Sequence, residues 1–201
     1  MLAKTHIVTG IASALIITRP TTVPGLMTAV TGGAVGGWVV DIDCKNMDFD
    51  REELHEKAAN VLSLAAFIFI DFFFGDNMCH YVASHWQAEG RWALIGFILL
   101  MIIGYNTKHR SFTHSFVGMA LFGSAVRYFC QPALQAFLCG YSAHIALDLL
   151  NKTGMELFFP AKKRFCLNLF YSNKTANEWF FRLGILIDAM LGVYLLTLAL
   201  T

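Results

Sequence analysis

"WALIGFILLMIIGYNTKHRSFTHSFVGMALFGSAVRYFC", residues Trp92–Cys130, is two apolar runs separated by one polar turn. The runs Trp92–Tyr105 and Phe116–Cys130 lack the strict alternation of a half-buried strand, and their length suits helices. Between them, His109, Arg110 and His114 fall within six residues. Polar groups next to hydrocarbon are costly unless something pairs with them. The turn is therefore either a solvated interhelical loop or part of a polar site at a membrane surface.

The rest of the chain has the same character. Of its 201 residues, 56% are hydrophobic and only 14% are charged, which is too apolar for an ordinary soluble domain and too sparsely charged for disorder. The mean hydropathy of +0.55 agrees. Net charge is +1, and there is no basic tail or aromatic–basic array, so no nucleic-acid partner is expected. The cysteines Cys44, Cys79, Cys130, Cys139 and Cys166 are odd in number, scattered and without CxxC spacing; they are expected to be reduced packing residues, with a thiolate metal site the minority alternative.

Seven apolar segments emerge: Ile7–Thr18, Gly25–Val40, Ala58–Phe74, Trp92–Tyr105, Phe116–Cys130, Ala133–Leu150 and Leu183–Leu200. Several are shorter than the ~20 residues of a full span. The expected fold is all-α: a polytopic helical membrane protein of about six to seven apolar helices, one domain over residues 1–201, with a metal site at one membrane face. The N-terminal segment is expected to be an uncleaved first helix, with a signal peptide as the alternative. Asp50, Arg51, Glu52 and Glu53 form a cap pattern opening the third helix, and Thr113 is the expected cap of the fifth. Asp71 and Asp188 fall toward the ends of their apolar runs, where interfacial placement or a helix–helix hydrogen bond is expected.

If each segment crosses to the opposite face, His6, Asp41, Asp43, His109, His114, His144 and Asp148 all fall on one face, while His80 and His85 fall on the other. Of the 15 Lys and Arg residues, only Arg19, Arg91 and Arg127 join the latter, so the positive-inside rule puts the site face in the cytoplasm. His144 and Asp148, four apart, share one side of a helix and can grip one cation; the bland alternative is a hydrogen bond that only packs helices. Asp41 and Asp43 can converge in an extended turn, or one can bridge two metals; the bland alternative is a solvated acidic loop. Asp48, Asp50, Glu52, Glu53, Glu56 and His55 fit that solvated description. Arg110 beside the ligands suits a phosphate clamp or stabilisation of developing negative charge, or else snorkelling to head groups. Seven ligands exceed the four of a structural zinc site, so two divalent ions are expected, zinc first, with manganese or iron as alternatives.

The ordered set "TH" at Thr5-His6, "DID" at Asp41–Asp43, "HRSFTHS" at His109–Ser115 and "GYSAHIALDLLNKTGMELFFP" at Gly140–Pro160 resembles the YdjM-type family of LexA-regulated, membrane-bound metal-dependent hydrolases. Arg164-Phe165 and "NEWFFR" at Asn177–Arg182 are also similar to it. The resemblance implies a bacterial multi-pass inner-membrane protein with the same seven ligands, and it adds Glu178 to Arg110 and Asp43 as candidate catalytic residues. Two departures, Val40 where the family usually has Pro and Lys108-His109-Arg110-Ser111 where it usually has Gly-His-Arg-Gly, bear on loop shape.

The expected function is therefore a membrane-bound metal-dependent hydrolase acting on an ester or phosphoester, with a membrane lipid or lipid-linked compound as the substrate. A metal-ion transporter, or a metal-binding membrane protein without hydrolysis, uses the same ligands and is the alternative. A third class is a structural membrane protein whose His and Asp only pack helices.

Overall fold

The computed structural model describes residues 3–44, 78–84, 86, 88–169 and 174–200. The expected third helix at Ala58–Phe74, its cap at Asp50–Glu53, and Asp71 and His85 lie outside these residues. Within them the chain is helical, as its apolar runs require: α1 (Ala3–Thr18), α2 (Val23–Val39) with a 3-10 turn at Val40–Asp43, α3 (Met78–Ser84), α4 (Ala88–Asn106), α5 (Phe116–Phe129), α6 (Leu134–Leu150) and α7 (Lys174–Leu200). Among the described residues, three stretches are long and apolar enough to cross a membrane: Val23–Asp43, Gln131–Leu150 and Asn177–Leu200. Helices α1 and α5 are shorter and also apolar.

Two expectations are corrected. Ser115, not Thr113, caps α5: its hydroxyl accepts the Gly118 N–H at 3.0 Å, while the Thr113 hydroxyl is donated to Asp43 Oδ2 at 2.8 Å. The last helix begins at Lys174 instead of Leu183, so Asp188 lies in its middle and not near an end. Its early start is supported by tertiary contacts that hydropathy does not report. Asn177 is buried and offers its carbonyl to the Thr5 hydroxyl at 3.5 Å, and the Lys4 ammonium lies 5.0 Å from the centre of the Phe181 ring.

The centre of the molecule is the packing of α1, α2 and α6. Small residues set its tightness, because without hydrophobic drive in lipid, helices associate through close backbone approach. A methyl group added at Gly36 would collide with the Phe137 carbonyl of α6, one at Gly37 with the His6 carbonyl of α1, and one at Gly140 with the Gly33 carbonyl of α2. Beside this seam, Phe97, Phe122, Phe137 and Tyr141 form an aromatic core joining α4, α5 and α6. Outward, α4 and α7 expose Ile98, Leu99, Ile102, Leu186, Met190 and Val193, a surface suited to lipid.

Two irregular segments close the end where α1 begins and α2 and α6 finish. The turn between α4 and α5 is buried from Arg110 to Ser115. The segment after α6 folds back over it: Met155 and Phe165 pair as an antiparallel bridge, Glu156 N–H donates to the Arg110 carbonyl at 2.9 Å, and Phe116 N–H donates to the Leu157 carbonyl at 3.0 Å. These hydrogen bonds give buried backbone groups of the turn protein partners.

The glycine seam is directly testable. Gly36→Ala is expected to destabilise the purified protein by about 1–3 kcal/mol, the usual size of overpacking. Gly96→Ala and Gly192→Ala, where an added methyl meets nothing within 4 Å, are expected to leave thermal unfolding in detergent unchanged. Equal unfolding temperatures for Gly36→Ala and the two controls would refute the seam.

Candidate metal centre

The close approach of α1, α2 and α6 brings His6 and His144 face to face. Their ring centroids are 3.6 Å apart and nearly parallel, and both residues are fully buried. The neighbouring backbone fixes one of them. His144 Nδ1 is 2.7 Å from the Gly37 carbonyl, which can only accept, so Nδ1 carries the proton. In the neutral ring Nε2 then presents its lone pair to the interior.

That lone pair enters a chain of contacts that alternates imidazole and carboxylate. His144 Nε2 lies 3.5 Å from Asp41 Oδ1; the same oxygen lies 3.6 Å from His114 Nε2. His114 Nε2 lies 3.5 Å from Asp148 Oδ2, and Asp148 Oδ1 lies 3.5 Å from His6 Nε2. The stacked His6 and His144 rings close the circuit. These separations are too long for good hydrogen bonds. The Nε2 atoms of His6, His114 and His144 are buried and have no hydrogen-bond partner among the described residues. Two ligand atoms about 2.1 Å from one tetrahedral ion lie about 3.4 Å apart, so the spacing is that of groups sharing a cation.

Asp43 has a different role from Asp41. Its Oδ1 accepts from His109 Nδ1 at 2.8 Å; its Oδ2 accepts from the Arg110 backbone N–H at 3.1 Å and the Thr113 hydroxyl at 2.8 Å, and lies 3.4 Å from His114 Nδ1. It therefore orients His109 and His114 from their Nδ1 sides, the arrangement that carboxylates commonly make behind metal-bound imidazoles. The α4–α5 turn achieves this with Arg110 at φ 65°, a left-handed conformation unusual for a residue with a side chain.

The electrostatics follow from this geometry. The Asp43 carboxylate, hydrogen-bonded to His109, pushes that imidazole up to about 9. Burial works against a charge on His114, but the carboxylates of Asp148, Asp41 and Asp43 outweigh it and push His114 up to about 10. Metal uptake must displace such protons, because imidazole binds metal in its neutral form.

All seven residues expected as ligands are brought together: Asp41, Asp43, His109 and His114 form one group, and His6, His144 and Asp148 another, with ligand atoms in each group within 4.8 Å of one another. Arg110 is present too, in a role the sequence did not suggest. Its guanidinium lies 3.2 Å from Asp148 Oδ2 and hydrogen-bonds the carbonyl and hydroxyl of Thr153. It is engaged in holding the Asp148 carboxylate. Glu178 stands apart: it is exposed in the first turns of α7 and pairs with Arg182 at 3.3 Å. His80 lies in α3. Sequence reading missed Thr113, Thr153 and the Gly37 carbonyl, since hydroxyls and carbonyls that orient ligands have no spacing signature.

An all-helical membrane protein with buried His and Asp gathered at one end of its helices is the class these features define. The chain belongs to a family described as YdjM inner membrane protein, whose profile matches residues 1–200. No curated protein and no solved structure matches it.

Because Arg110 supports Asp148, Arg110→Ala is expected to lower metal affinity by about 10–100-fold, the usual effect of removing a partner behind a ligand. Arg110→Lys keeps the charge but not the planar fork, and is expected to recover only part of it. Competition with a metallochromic chelator measures both. Wild-type affinity in Arg110→Ala would show that the ion pair does not position Asp148.

Proposed function

We propose that this protein is a membrane-bound metal-dependent hydrolase. It acts at the cytoplasmic face of a bacterial inner membrane on an ester or phosphoester of a lipid or lipid-linked substrate. The observation that carries the reading is the alternation of three buried, unbonded Nε2 atoms with two carboxylates at 3.5–3.6 Å. Such a set is unfavourable in an apolar interior without a cation. Imidazole and carboxylate together suit zinc, with manganese or iron as alternatives.

His6, His114, His144, Asp41 and Asp148 would hold the metal, with His109 at the rim and Asp43 orienting the imidazoles. A divalent ion bound there supplies a Lewis acid and a water acidified toward neutral pH. The chain's own residues do the rest. Gly37 fixes the tautomer of His144, Arg110 holds Asp148, and Thr113 holds Asp43. The segment after α6 keeps Lys152, Lys162, Lys163 and Arg164 exposed, with Phe158 and Leu167 exposed among them. Cations interleaved with apolar side chains suit an anionic head group at the bilayer surface. The excess of basic residues on the same face supports a cytoplasmic orientation.

The test is hydrolysis of a panel of lipid phosphoesters and esters by purified protein. Turnover is expected to vanish on chelation, return with zinc, and fall to background in His114→Ala and Asp148→Ala. Zinc-loaded protein that is idle on every ester and phosphoester, yet moves zinc across proteoliposomes, would overturn this reading in favour of a metal transporter.

A further inference from the structure

Cys44 does not pack in the core. Among the described cysteines Cys130 is buried, whereas Cys44 and Cys166 are exposed. Cys44 ends the turn that carries both aspartates, and its backbone N–H donates to the Asp41 carbonyl at 2.9 Å. That turn sends the Asp43 carboxylate inward, where it is buried, and leaves the Cys44 thiol at the surface beside His109. Cys44 Sγ lies 3.5 Å from His109 Nδ1 and 3.7 Å from Nε2. Since Nδ1 is bonded to Asp43 at 2.8 Å, Nε2 is the nitrogen left for another partner.

A sulfur about 2.3 Å and a nitrogen about 2.05 Å from one tetrahedral zinc ion are about 3.6 Å apart. The Cys44–His109 separation matches that edge. A second observation on the same group also points to a ligand: His114 is fully buried, its Nε2 has no hydrogen-bond partner among the described residues, and it faces Asp41 Oδ1 at 3.6 Å. Asp41, Asp43, His109 and His114 already form one compact group, and Cys44 lies beside it against His109.

We infer that Cys44 is a thiolate ligand at the His109 rim of this group, and that it biases the centre toward zinc and against harder cations. On binding, the Cys44 S–H bond breaks, its proton passes to solvent, and the sulfur lone pair enters the metal bond; no oxidant or reductant is involved. Thiolate favours zinc over manganese or magnesium because it is the softer donor. The inference rests on the metal-binding part of the proposed function and not on hydrolysis.

Cobalt(II) is the probe, added to the purified full chain in detergent. Visible d–d absorption reports cobalt bound at any ligand set, whereas a near-ultraviolet sulfur-to-cobalt charge-transfer band reports thiolate ligation. Wild type is expected to show both, and Cys44→Ser to keep the d–d bands and lose the charge-transfer band. Because Cys44 is exposed, the substitution leaves the core intact. In parallel, zinc is expected to protect Cys44 from maleimide, read by peptide mass spectrometry, while exposed Cys166 stays reactive. A charge-transfer band that survives in Cys44→Ser, or d–d bands without charge transfer in wild type, would overturn the thiolate ligand and leave the metal centre standing. No cobalt absorption at all would overturn both.

Discussion

Three buried imidazoles, the buried Asp148 carboxylate and the half-buried Asp41 carboxylate lie side by side at the end of an apolar helix bundle, and they do not satisfy one another. Asp41 and Asp148 alternate with His144, His114 and His6 at 3.5–3.6 Å, beyond good hydrogen bonding. Buried anions require a cation, and the imidazole nitrogens that face them require a partner. Arg110 meets part of the demand at Asp148, and raised proton affinity at His114 and His109 meets another part. A divalent ion satisfies carboxylates and imidazoles together, which neither of the other two can do. The arrangement around the cluster follows from that demand: a buried polar turn, a left-handed Arg110, and a segment folded back over both.

The helices contribute by approaching closely. Gly36, Gly37 and Gly140 let α2 touch α1 and α6 backbone to backbone. This contact stacks His6 on His144 and puts the Gly37 carbonyl in reach of His144 Nδ1. A bundle spaced by larger side chains would separate the two rings and leave the tautomer of His144 undefined. The small-residue face of α2 is therefore part of the site's construction, although none of its side chains belongs to the site.

The fold and the gathering of the candidate ligands were legible in the sequence for different reasons. Apolar run length marks helices wherever hydrocarbon is the solvent, and six of the seven runs coincide with described helices. The start of α7 was not legible, because Lys174–Arg182 is helical through contacts with α1 and not through hydropathy. The gathering was legible because alternation of helix direction brings His6, Asp43, His114 and Asp148 to one end. The tasks of the individual residues were not. Arg110 looked like a substrate clamp and turns inward to Asp148; Cys44 looked like packing and faces His109; Glu178, suggested by family resemblance, pairs with Arg182 at the surface. Side-chain direction in a turn depends on partners far along the chain, and spacing carries no record of it.

The central claim is that the unbonded imidazoles of His6, His114 and His144 share a bound metal ion with Asp41 and Asp148. X-ray absorption at the zinc edge of purified, zinc-loaded protein tests it most directly. The account predicts nitrogen and oxygen at about 2.0–2.2 Å, with a sulfur at about 2.3 Å from Cys44, the outer-shell scattering of imidazole rings, and a clear loss of that imidazole signal in His114→Ala. A zinc shell with no imidazole scattering, or a spectrum unchanged by His114→Ala, would contradict it.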